Sequence, residues 1–355
     1  MDLILAINPG STSTKIGLFQ GEEIIFIENI EHKREDLAKF PDIPSQKHFR
    51  LNLVLGALKK HGYEPSQLSA TVGRGGLLPP IASGGYAVNE KMLDWVNRGL
   101  GGVHASNLGS ILADLVAKEA GCKAYIYDAV SAGFLPEIAA ITGFPEIRRK
   151  SLSHVLNSRA QSIQFAKQIG KNFEDLTLII AHLGGGITLS VYENGVMADS
   201  IGDDIGTFSP ERSGGVPLID FVDFCFDSIE KGLTKKDIQK RIRGGGGISA
   251  HLNTIDIREV EEMISNGDEN AEAVLSAMCY NIAKGIGSLA SVVFGRVDAI
   301  ILTGGIAKSK FVTETISERI KFIAPIKIMP GEYELEALAA GCLRILSGQE
   351  IAAEL

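Results

Sequence analysis

Two short segments, nearly half the chain apart, are rich in small residues that suit phosphate binding, and the first also carries hydroxyl groups and an ammonium group. The first covers residues 8–15 and includes Asn8, Ser11, Ser13 and Lys15. The second is His182-Leu183-Gly184-Gly185-Gly186. Small residues allow backbone N–H groups to converge, and such groups bind anions together with hydroxyls and an ammonium group. We therefore expect a polyanion, such as the phosphate chain of a nucleotide, to bind at both segments.

Two arginines lie among glycines further along the chain. Arg74 occurs in Gly73-Arg74-Gly75-Gly76, and Arg212 occurs in Glu211-Arg212-Ser213-Gly214-Gly215. An isolated arginine is usually a solvated surface residue, but flanking glycines let a substrate approach the backbone while the guanidinium binds its charge. Asp128 directly follows a short apolar strand, at the edge of the sheet where α/β proteins usually bind ligands. His104 and His154 lie near predicted helix starts, where a single histidine is more often structural than functional.

The two phosphate-binding segments belong to hairpins of the same kind. Apolar strands flank each segment, and a tight turn and a third strand follow: residues 3–7, 16–19 and 24–30 in the first copy, and 178–181, 187–192 and 196–200 in the second. This repetition indicates a duplicated unit. The first segment is not a Walker A loop, because Gly-x-x-x-x-Gly-Lys-Ser/Thr is absent. Each segment alone is also compatible with a plain turn or a glycine bulge, so the hypothesis of phosphate binding depends on the presence of both segments.

Composition excludes several classes of protein. The 355 residues, with 45% apolar and 22% charged residues, are typical of a globular protein of two domains. A net charge of -8 and the lack of a Lys/Arg block argue against nucleic-acid binding. Without a signal-peptide pattern or an apolar run near the roughly 20 residues of a membrane span, we expect a cytoplasmic protein with no membrane partner. The four widely spaced cysteines indicate neither a disulfide framework nor a zinc site.

Alternating strands and helices predict an α/β protein. Helices are expected near residues 49–61, 101–120, 153–169, 218–229, 271–294 and 335–346, and a buried strand at 299–303 leads into Gly304 and Gly305. We predict two lobes. The N-terminal lobe comprises residues 1–152 and 331–355 with the first phosphate hairpin, and the C-terminal lobe comprises residues 153–330 with the second.

Several of these segments resemble the acetokinase family, which shares a superfamily with sugar kinases, actin and the Hsp70 chaperones. The resemblance covers residues 6–15, 182–186, 211–217, 302–307 and 330–332, spans nearly the whole chain, and at 211–217 is greatest to the butyrate kinase branch. It implies a two-lobed actin-like ATPase fold with duplicated ribonuclease H-like domains. It also implies reversible phosphoryl transfer between ATP and a short-chain fatty acid, with ATP/ADP and Mg²⁺ as cofactors and a homo-oligomeric assembly.

The same resemblance assigns roles position by position. The implied catalytic residues are Arg74, His104, Asp128, His154 and Arg212. The implied nucleotide-binding and phosphate-binding residues are Asn8, Ser11, Ser13, Lys15, His182, Gly184, Gly185, Gly186, Asp256, Arg258, Gly304 and Gly305. Mg²⁺ is assigned to Asp128 and to a glutamate near the start of the last helix, for which Glu332, Glu334 and Glu336 compete and Glu334 is preferred.

Departures from the acetate kinase pattern concern the acyl pocket, which Gly76, Val103 and Ser153 are expected to line. Acetate kinases carry asparagine at the position of Gly185, so this chain lacks any contact made by that amide. In the acyl pocket they carry valine at the position of Gly76 and phenylalanine at that of Ser153. Less bulk should deepen the pocket, and since each buried CH₂ contributes about 0.8 kcal/mol, acids of roughly three to five carbons are favoured over acetate. An acetate or propionate kinase, a sugar kinase of the same superfamily and a noncatalytic nucleotide-binding module are the alternatives.

Overall fold

The computed structural model describes residues 2–133, 135–151, 153–202, 204–331 and 333–355. The chain divides into two compact units. The first unit consists of Met1–Phe134, Val155–Ala160 and Tyr333–Leu355, and the second consists of Leu135–His154 and Gln161–Glu332. The lobe boundary expected at residue 152 lies outside the described residues, and the lobe assignment stays a prediction.

The first unit is built on a mixed sheet of six strands, in the described residues. They are β1 (Leu3–Pro9), β2 (Ser13–Gln20), β3 (Glu23–Glu31), β4 (Ala70–Arg74), β5 (Gly85–Ala87) and β6 (Lys123–Tyr127). Their order is β3-β2-β1-β4-β6-β5. The pairs β1/β2 and β2/β3 are antiparallel, whereas β1/β4 and β4/β6 are parallel.

The second unit repeats this arrangement. Its strands are β7 (Thr177–Leu183), β8 (Ile187–Glu193), β9 (Val196–Ile201), β10 (Ala299–Gly304) and β11 (Ile326–Pro330), in the order β11-β10-β7-β8-β9. An antiparallel meander is again followed by parallel strands beside its first member. The α/β class and the duplication predicted from the two hairpins are therefore confirmed.

Helices cover both sheets. In the part of the chain that the structure describes, they are α1 (Arg34–Leu37), α2 (Lys47–Lys60), α3 (Glu90–Asn97), α4 (Leu108–Ala120), α5 (Glu137–Ala140), α6 (Val155–Gln168), α7 (Leu218–Glu230), α8 (Lys235–Ile242), α9 (Ile248–Leu252), α10 (Ile257–Ser265), α11 (Glu269–Val292), α12 (Lys310–Ile320) and α13 (Glu334–Leu346). The helix expected from residue 101 begins only at Leu108, because a separate short 3₁₀ turn occupies Ala105–Asn107. None of the helices in the described ranges is long and apolar enough to cross a membrane.

Strands that are buried on both faces form the centre of each unit. Strand β1 is almost wholly buried, as its run of aliphatic residues requires when helices cover both sides of the sheet. On one side, Leu335 and Leu338 of α13 pack in a cluster with Ile4 and Val72. In the second unit, α11 and α12 pack with β7 and β10 in a larger cluster. The ends of β1 and β7, where the phosphate-binding segments begin, are thus held by rigid cores.

Two glycines bring α4 unusually close to β4. A Cβ atom at Gly73 would lie 2.1 Å from the carbonyl oxygen of Gly109, and one at Gly109 would lie 2.0 Å from that of Arg74. No larger residue fits at either position without moving the backbone. This close contact fixes the end of β4, and with it Arg74, relative to the start of α4.

Candidate active site

The first phosphate-binding segment is the bend between β1 and β2. Asn8 pairs with Lys15 across the hairpin, and the backbone N–H of Gly10 donates to the carbonyl oxygen of Ser13 at 2.8 Å. Asn8 is buried, whereas Ser11 and Lys15 are exposed. The outer side of the bend therefore presents a hydroxyl and an ammonium group, which are both suited to bind phosphate oxygens.

Glu334 joins two of the predicted site residues at the first helical position of α13. Its Oε1 atom lies 3.0 Å from Nη1 of Arg74, and its Oε2 atom accepts a hydrogen bond from the side-chain amide of Asn8. Of the three glutamates that competed for the magnesium role, Glu334 is thus bonded to other site residues. Glu336 lies on the same helix, and Glu332 lies outside the described residues.

His104 immediately precedes the 3₁₀ turn at Ala105–Asn107 and lies near Arg74. The backbone N–H of Ser106 donates to Nδ1 of His104 at 3.2 Å, and the Ser106 hydroxyl lies 2.7 Å from the same nitrogen. Nδ1 is therefore an acceptor, which leaves the proton on Nε2. Desolvation by the surrounding protein lowers the pKa of His104 below its usual value, and the positive charge of Arg74 lowers it further. A neutral His104 offers one N–H donor.

Asp128 follows β6 directly, as the sequence predicts, and its backbone has φ of 41°. Few non-glycine residues adopt this left-handed conformation, which is found mainly where function or tight geometry requires it. The carboxylate accepts hydrogen bonds at Oδ1 from Nη1 of Arg159 (2.6 Å) and from the backbone N–H of Gly84 (2.8 Å). Burial raises the pKa of Asp128, while both of these donors oppose the rise.

Gly76 lies in close contact with Asn107. A Cβ atom at Gly76 would lie 2.3 Å from Oδ1 and 2.6 Å from Cα of Asn107. The space on that side of Gly76 is therefore filled by Asn107, and the deepening of an acyl pocket at this glycine stays a prediction. Val103 is 63% exposed and Ser153 is buried, so their part in an acyl pocket stays a prediction.

In the second unit, the second phosphate-binding segment is the bend between β7 and β8. The carbonyl oxygen of Gly185 accepts from the Ser209 hydroxyl (2.6 Å) and from the backbone N–H of Glu211 (3.1 Å). A Cβ atom at Gly185 would lie 2.5 Å from Oε2 of Glu211, so the glycine admits this carboxylate beside the bend. Arg212 is the next residue in the chain, and about one quarter of its side chain is exposed. Its Nη1 donates to the carbonyl oxygen of Glu211 at 3.2 Å. The structure thus brings Arg212 close to the bend at Gly184–Gly186.

Two predicted histidines stack against each other beside this bend. The rings of His154 and His182 have centroids 3.9 Å apart and an interplanar angle of 14°. His154 Nδ1 lies 2.9 Å from Oγ1 of Thr188, which also accepts from the backbone N–H of His154 at 3.3 Å. Thr188 pairs with His182 between β7 and β8. One threonine therefore fixes the backbone and the ring of His154 against His182.

Gly304 is the last residue of β10 and Gly305 follows it, at the same edge of the second sheet. Gly304 has φ of 91°, and a Cβ atom there would lie 2.4 Å from the carbonyl oxygen of Leu183. Gly305 faces open space. Asp256 and Arg258, at the start of α10, bond mainly to each other, with Arg258 Nε donating to Asp256 Oδ1 at 2.9 Å. The Arg258 side chain is 88% exposed, so the nucleotide role of this pair stays a prediction.

Sequence reasoning missed Arg159 and Thr188. Arg159 lies on α6, five residues after His154, and Thr188 lies two residues after the glycine run at 184–186. Two signals could have identified them. Arg159 is a charged residue early in a helix that directly follows a site histidine, and Thr188 carries a hydroxyl next to a glycine bend. In the described residues, no group of three or more His, Cys, Asp or Glu side chains could hold a metal ion by itself.

The chain has the fold of an acetate kinase. The crystal structure of Porphyromonas gingivalis acetate kinase aligns with 98% of this chain and 100% of its own, with a TM-score of 0.81 and 19% sequence identity. At this identity the likeness concerns the fold, and it confirms the fold class expected from the sequence.

Sequence relatives identify the family. The acetokinase family model matches residues 149–335. Butyrate kinase 1 of Clostridium acetobutylicum is 46% identical over 353 residues, which are 99% of each chain, and a probable butyrate kinase of Listeria monocytogenes is 42% identical over 349 residues, which are 98% of each chain. The chain belongs to the acetokinase family. It is accordingly a phosphotransferase that uses ATP and ADP and has a carboxyl group as acceptor.

Proposed function

We propose that the protein transfers the γ-phosphoryl group of ATP reversibly to a short-chain fatty acid, with butyrate or a branched analogue preferred. A carboxylate oxygen bonds to the γ-phosphorus, the bond from that phosphorus to the β,γ-bridging oxygen breaks, and ADP and an acyl phosphate are formed. The observation that carries the choice of acid is the 46% identity to a butyrate kinase over 99% of both chains.

The main barrier to this reaction is electrostatic. A carboxylic acid with a pKa of about 4 to 5 is already ionised at neutral pH, so no general base is required. Two negative groups about 4 Å apart repel each other by roughly 4 kcal/mol at an effective dielectric constant near 20. We assign Arg74 and Arg212 to the acyl carboxylate and Lys15 to the phosphates, because these cations offset that repulsion at the reacting groups.

The residues present fit a magnesium ion. Mg²⁺ is usually held by one or two carboxylates together with substrate phosphates and water, rather than by a cage of protein ligands. Glu334, beside Asn8 and Arg74, and Asp128, at the end of β6, are the carboxylates that we assign to it. When bound, the ion neutralises phosphate charge. Asn8, Ser11 and Ser13 then have the task of holding and orienting the phosphate chain.

The histidines are proposed as hydrogen-bond donors to the transferring phosphoryl group. His104 carries its proton on Nε2, as its bonds to Ser106 require. Two protonated rings 3.9 Å apart would repel each other, so the stack of His154 and His182 favours a neutral member. Neutral donors that are fixed by neighbouring hydroxyls can stabilise the equatorial oxygens of an in-line transition state without a proton transfer.

The experiment that tests the proposal measures acyl phosphate directly. Wild-type protein is incubated with ATP, Mg²⁺ and each acid from acetate to valerate, including branched acids, and the acyl phosphate is trapped with hydroxylamine. We expect the highest kcat/KM with butyrate or a branched acid. A maximum at acetate or propionate would favour that alternative, ADP formation only with a sugar would indicate a sugar kinase, and ADP binding without turnover would indicate a noncatalytic module.

A variant tests the assignment of the acyl site. Arg212→Ala should lower kcat by about two orders of magnitude or more while leaving the Kd for ADP nearly unchanged, because the lost charge acts on the acid and the transferring group. An Arg212→Ala protein with full activity would refute the role.

The same proposal includes a cytoplasmic location, a homo-oligomeric state and the two-lobe assignment. Light scattering after gel filtration tests the oligomeric state.

A further inference from the structure

Arg50 carries a positive charge into the interior of the first unit, beneath the bend of the first hairpin. It lies on α2 and is 1% exposed. Arginine is almost never fully buried unless it is paired, because the charged group loses its hydration. In the described ranges no carboxylate forms an ion pair with Arg50, and its guanidinium donates to neutral oxygens instead. Burial lowers the pKa of Arg50 to about 10, so the side chain is still charged at neutral pH.

Most of these oxygens belong to one bend. Nη1 donates to the carbonyl oxygens of Gly10 at 2.8 Å and Ser13 at 3.0 Å, and Nη2 donates to that of Ser11 at 3.2 Å. Gln46 Oε1 accepts from Nε (3.1 Å) and Nη2 (2.8 Å) and thereby fixes the plane of the guanidinium. The rigid fork of one arginine therefore ties three carbonyl groups of the bend together.

The bend consequently has two faces of opposite character. Its carbonyl oxygens are held on the buried side by Arg50, whereas Ser11, Thr12 and Lys15 are exposed. Carbonyl oxygens turned toward a phosphate would repel it, while hydroxyl, N–H and ammonium groups attract it. A bend that binds an anion needs its carbonyl groups held inward, and Arg50 holds them there.

Thr14 and His32 complete the buried side of the bend. Arg50 Nη1 donates to Oγ1 of Thr14 at 3.2 Å, and the same oxygen lies 2.8 Å from Nε2 of His32. Because the guanidinium can only donate, the Thr14 hydroxyl is free to donate to Nε2, and His32 is then a neutral acceptor. The backbone N–H of His32 also donates to the carbonyl oxygen of Thr12 at 2.8 Å. The bend is thus bonded from α2 and from the end of β3.

We propose that Arg50 is a positioning residue, which fixes the bend between β1 and β2 in the conformation that binds nucleotide phosphates. The inference rests on the proposed role of this hairpin in ATP binding. Arg50 is buried behind the bend, so it acts through the backbone of Gly10, Ser11 and Ser13. An arginine with a purely structural role would support folding without a specific effect on nucleotide affinity, and this difference can be measured.

The test compares Arg50→Lys with Thr71→Val. Thr71 is a fully buried residue of β4 in the same unit, and its hydroxyl donates to the carbonyl oxygen of Ala113 at 2.7 Å. Lysine keeps the charge but has a single nitrogen that cannot span the three carbonyls. With each protein assayed at the same interval below its own Tm, we expect the KM for ATP and the calorimetric Kd for ADP to rise about tenfold in Arg50→Lys and less than about twofold in Thr71→Val. The KM for butyrate should change by less than about twofold in both variants.

Gln46→Met is measured alongside, because Arg50→Lys can destabilise the fold. This milder change leaves Arg50 in place but removes the acceptor that orients its guanidinium, and we expect the Kd for ADP to rise about threefold. An unchanged Kd in folded Arg50→Lys or Gln46→Met, or an equal rise in Thr71→Val, would overturn the inference. A wild-type protein that binds no ADP would instead refute the proposed function, so the two failures are distinguishable.

Discussion

The guanidinium of Arg159 donates to the carboxylate of Asp128 at 2.6 Å, although only 2% of the Asp128 side chain is exposed. Burial alone raises the pKa of this carboxyl, and Arg159 is the principal group that opposes the rise. A buried carboxylate that loses its cation holds a proton more readily, since desolvation is then opposed mainly by the hydrogen bond from the Gly84 N–H. Arg159 therefore controls the charge of the residue to which we assign a catalytic role.

Replacing Arg159 by methionine should lower activity in a pH-dependent way. The pKa of Asp128 rises when its guanidinium partner is removed, so the acid limb of the kcat profile should move to higher pH, with activity partly recovering as the pH increases. Breaking a buried pair on one side also costs about 3–5 kcal/mol of stability. Activity between pH 5.5 and 9 and thermal unfolding are the two measurements.

Two further variants distinguish the effect of the lost charge on activity from its effect on folding stability. Arg159→Lys keeps the cation and should retain a nearly unchanged pH profile. The double variant Asp128→Asn with Arg159→Met removes both charges of this pair, so it should be more stable than Arg159→Met alone. A pH profile in Arg159→Met that matches the wild type would show that Arg159 does not govern the ionisation of Asp128.

Glu334→Gln should lower the apparent affinity for magnesium, whereas Glu336→Gln should not. The Glu334 carboxylate is 3.0 Å from Arg74 and accepts from Asn8, so the amide replacement keeps the shape but removes one charge next to the phosphate-binding segment. We expect the Mg²⁺ concentration for half-maximal activity to rise about tenfold in Glu334→Gln. Titration of Mg²⁺ at fixed ATP measures it. A rise in Glu336→Gln with none in Glu334→Gln would transfer the role to Glu336.

His32 should make the protein less stable at mildly acidic pH. Burial and the nearby Arg50 charge lower the pKa of His32 to about 4 in the folded state. Unfolded histidine has a pKa near 6.5, so between these values the unfolded chain binds the additional proton. The stability associated with a neutral His32, up to about 3 kcal/mol, is fully present above pH 6.5 and is lost as the pH falls toward 4.

Urea unfolding at pH 7.5, 6.0 and 5.0 measures this contribution. His32→Gln keeps an acceptor for the Thr14 hydroxyl but does not titrate, so its stability should fall less between pH 7.5 and 5.0 than that of the wild type. His48→Gln, at an exposed position of α2, is the control and should behave like the wild type. Identical pH dependence in His32→Gln and His48→Gln would contradict the buried neutral histidine.

The elements that carry strong local patterns are the ones that sequence reasoning predicted well. Both hairpins, the strand that ends before Asp128 and the last helix lie within a few residues of their expected positions. Alternation of apolar residues, turn glycines and strand ends are local features, and buried cores reinforce them.

The buried cations could not be predicted in the same way. Lys47, Arg50, Lys59 and Lys60 are all basic residues of α2, and nothing in their local pattern marks Arg50 as the one that is buried. Its location depends on the carbonyl groups of Gly10 and Ser13, which are about forty residues away in the sequence. The pairing of Arg159 with Asp128, and the filling of space beside Gly76 by Asn107, likewise arise only from tertiary contacts.

Ser153→Phe provides a cleaner test of the acyl pocket than a substitution at Gly76, where a side chain would collide with Asn107. Ser153 is 7% exposed and directly precedes His154. If its small side chain leaves room for the acyl chain, wild type should favour butyrate over acetate by about 15-fold in kcat/KM, since two buried CH₂ groups contribute roughly 1.6 kcal/mol. Phenylalanine should remove most of that preference.

Ser151→Val is the matched control for this change, because Ser151 is 8% exposed and lies two residues earlier. It should keep the wild-type ratio of kcat/KM for butyrate to that for acetate, even if it alters stability. Ratios are compared rather than absolute rates, since a general loss of folded protein lowers the measured rates with both substrates by the same factor. An unchanged ratio in a folded Ser153→Phe protein would place the acyl chain elsewhere, and Val103→Phe would then be the next position to measure.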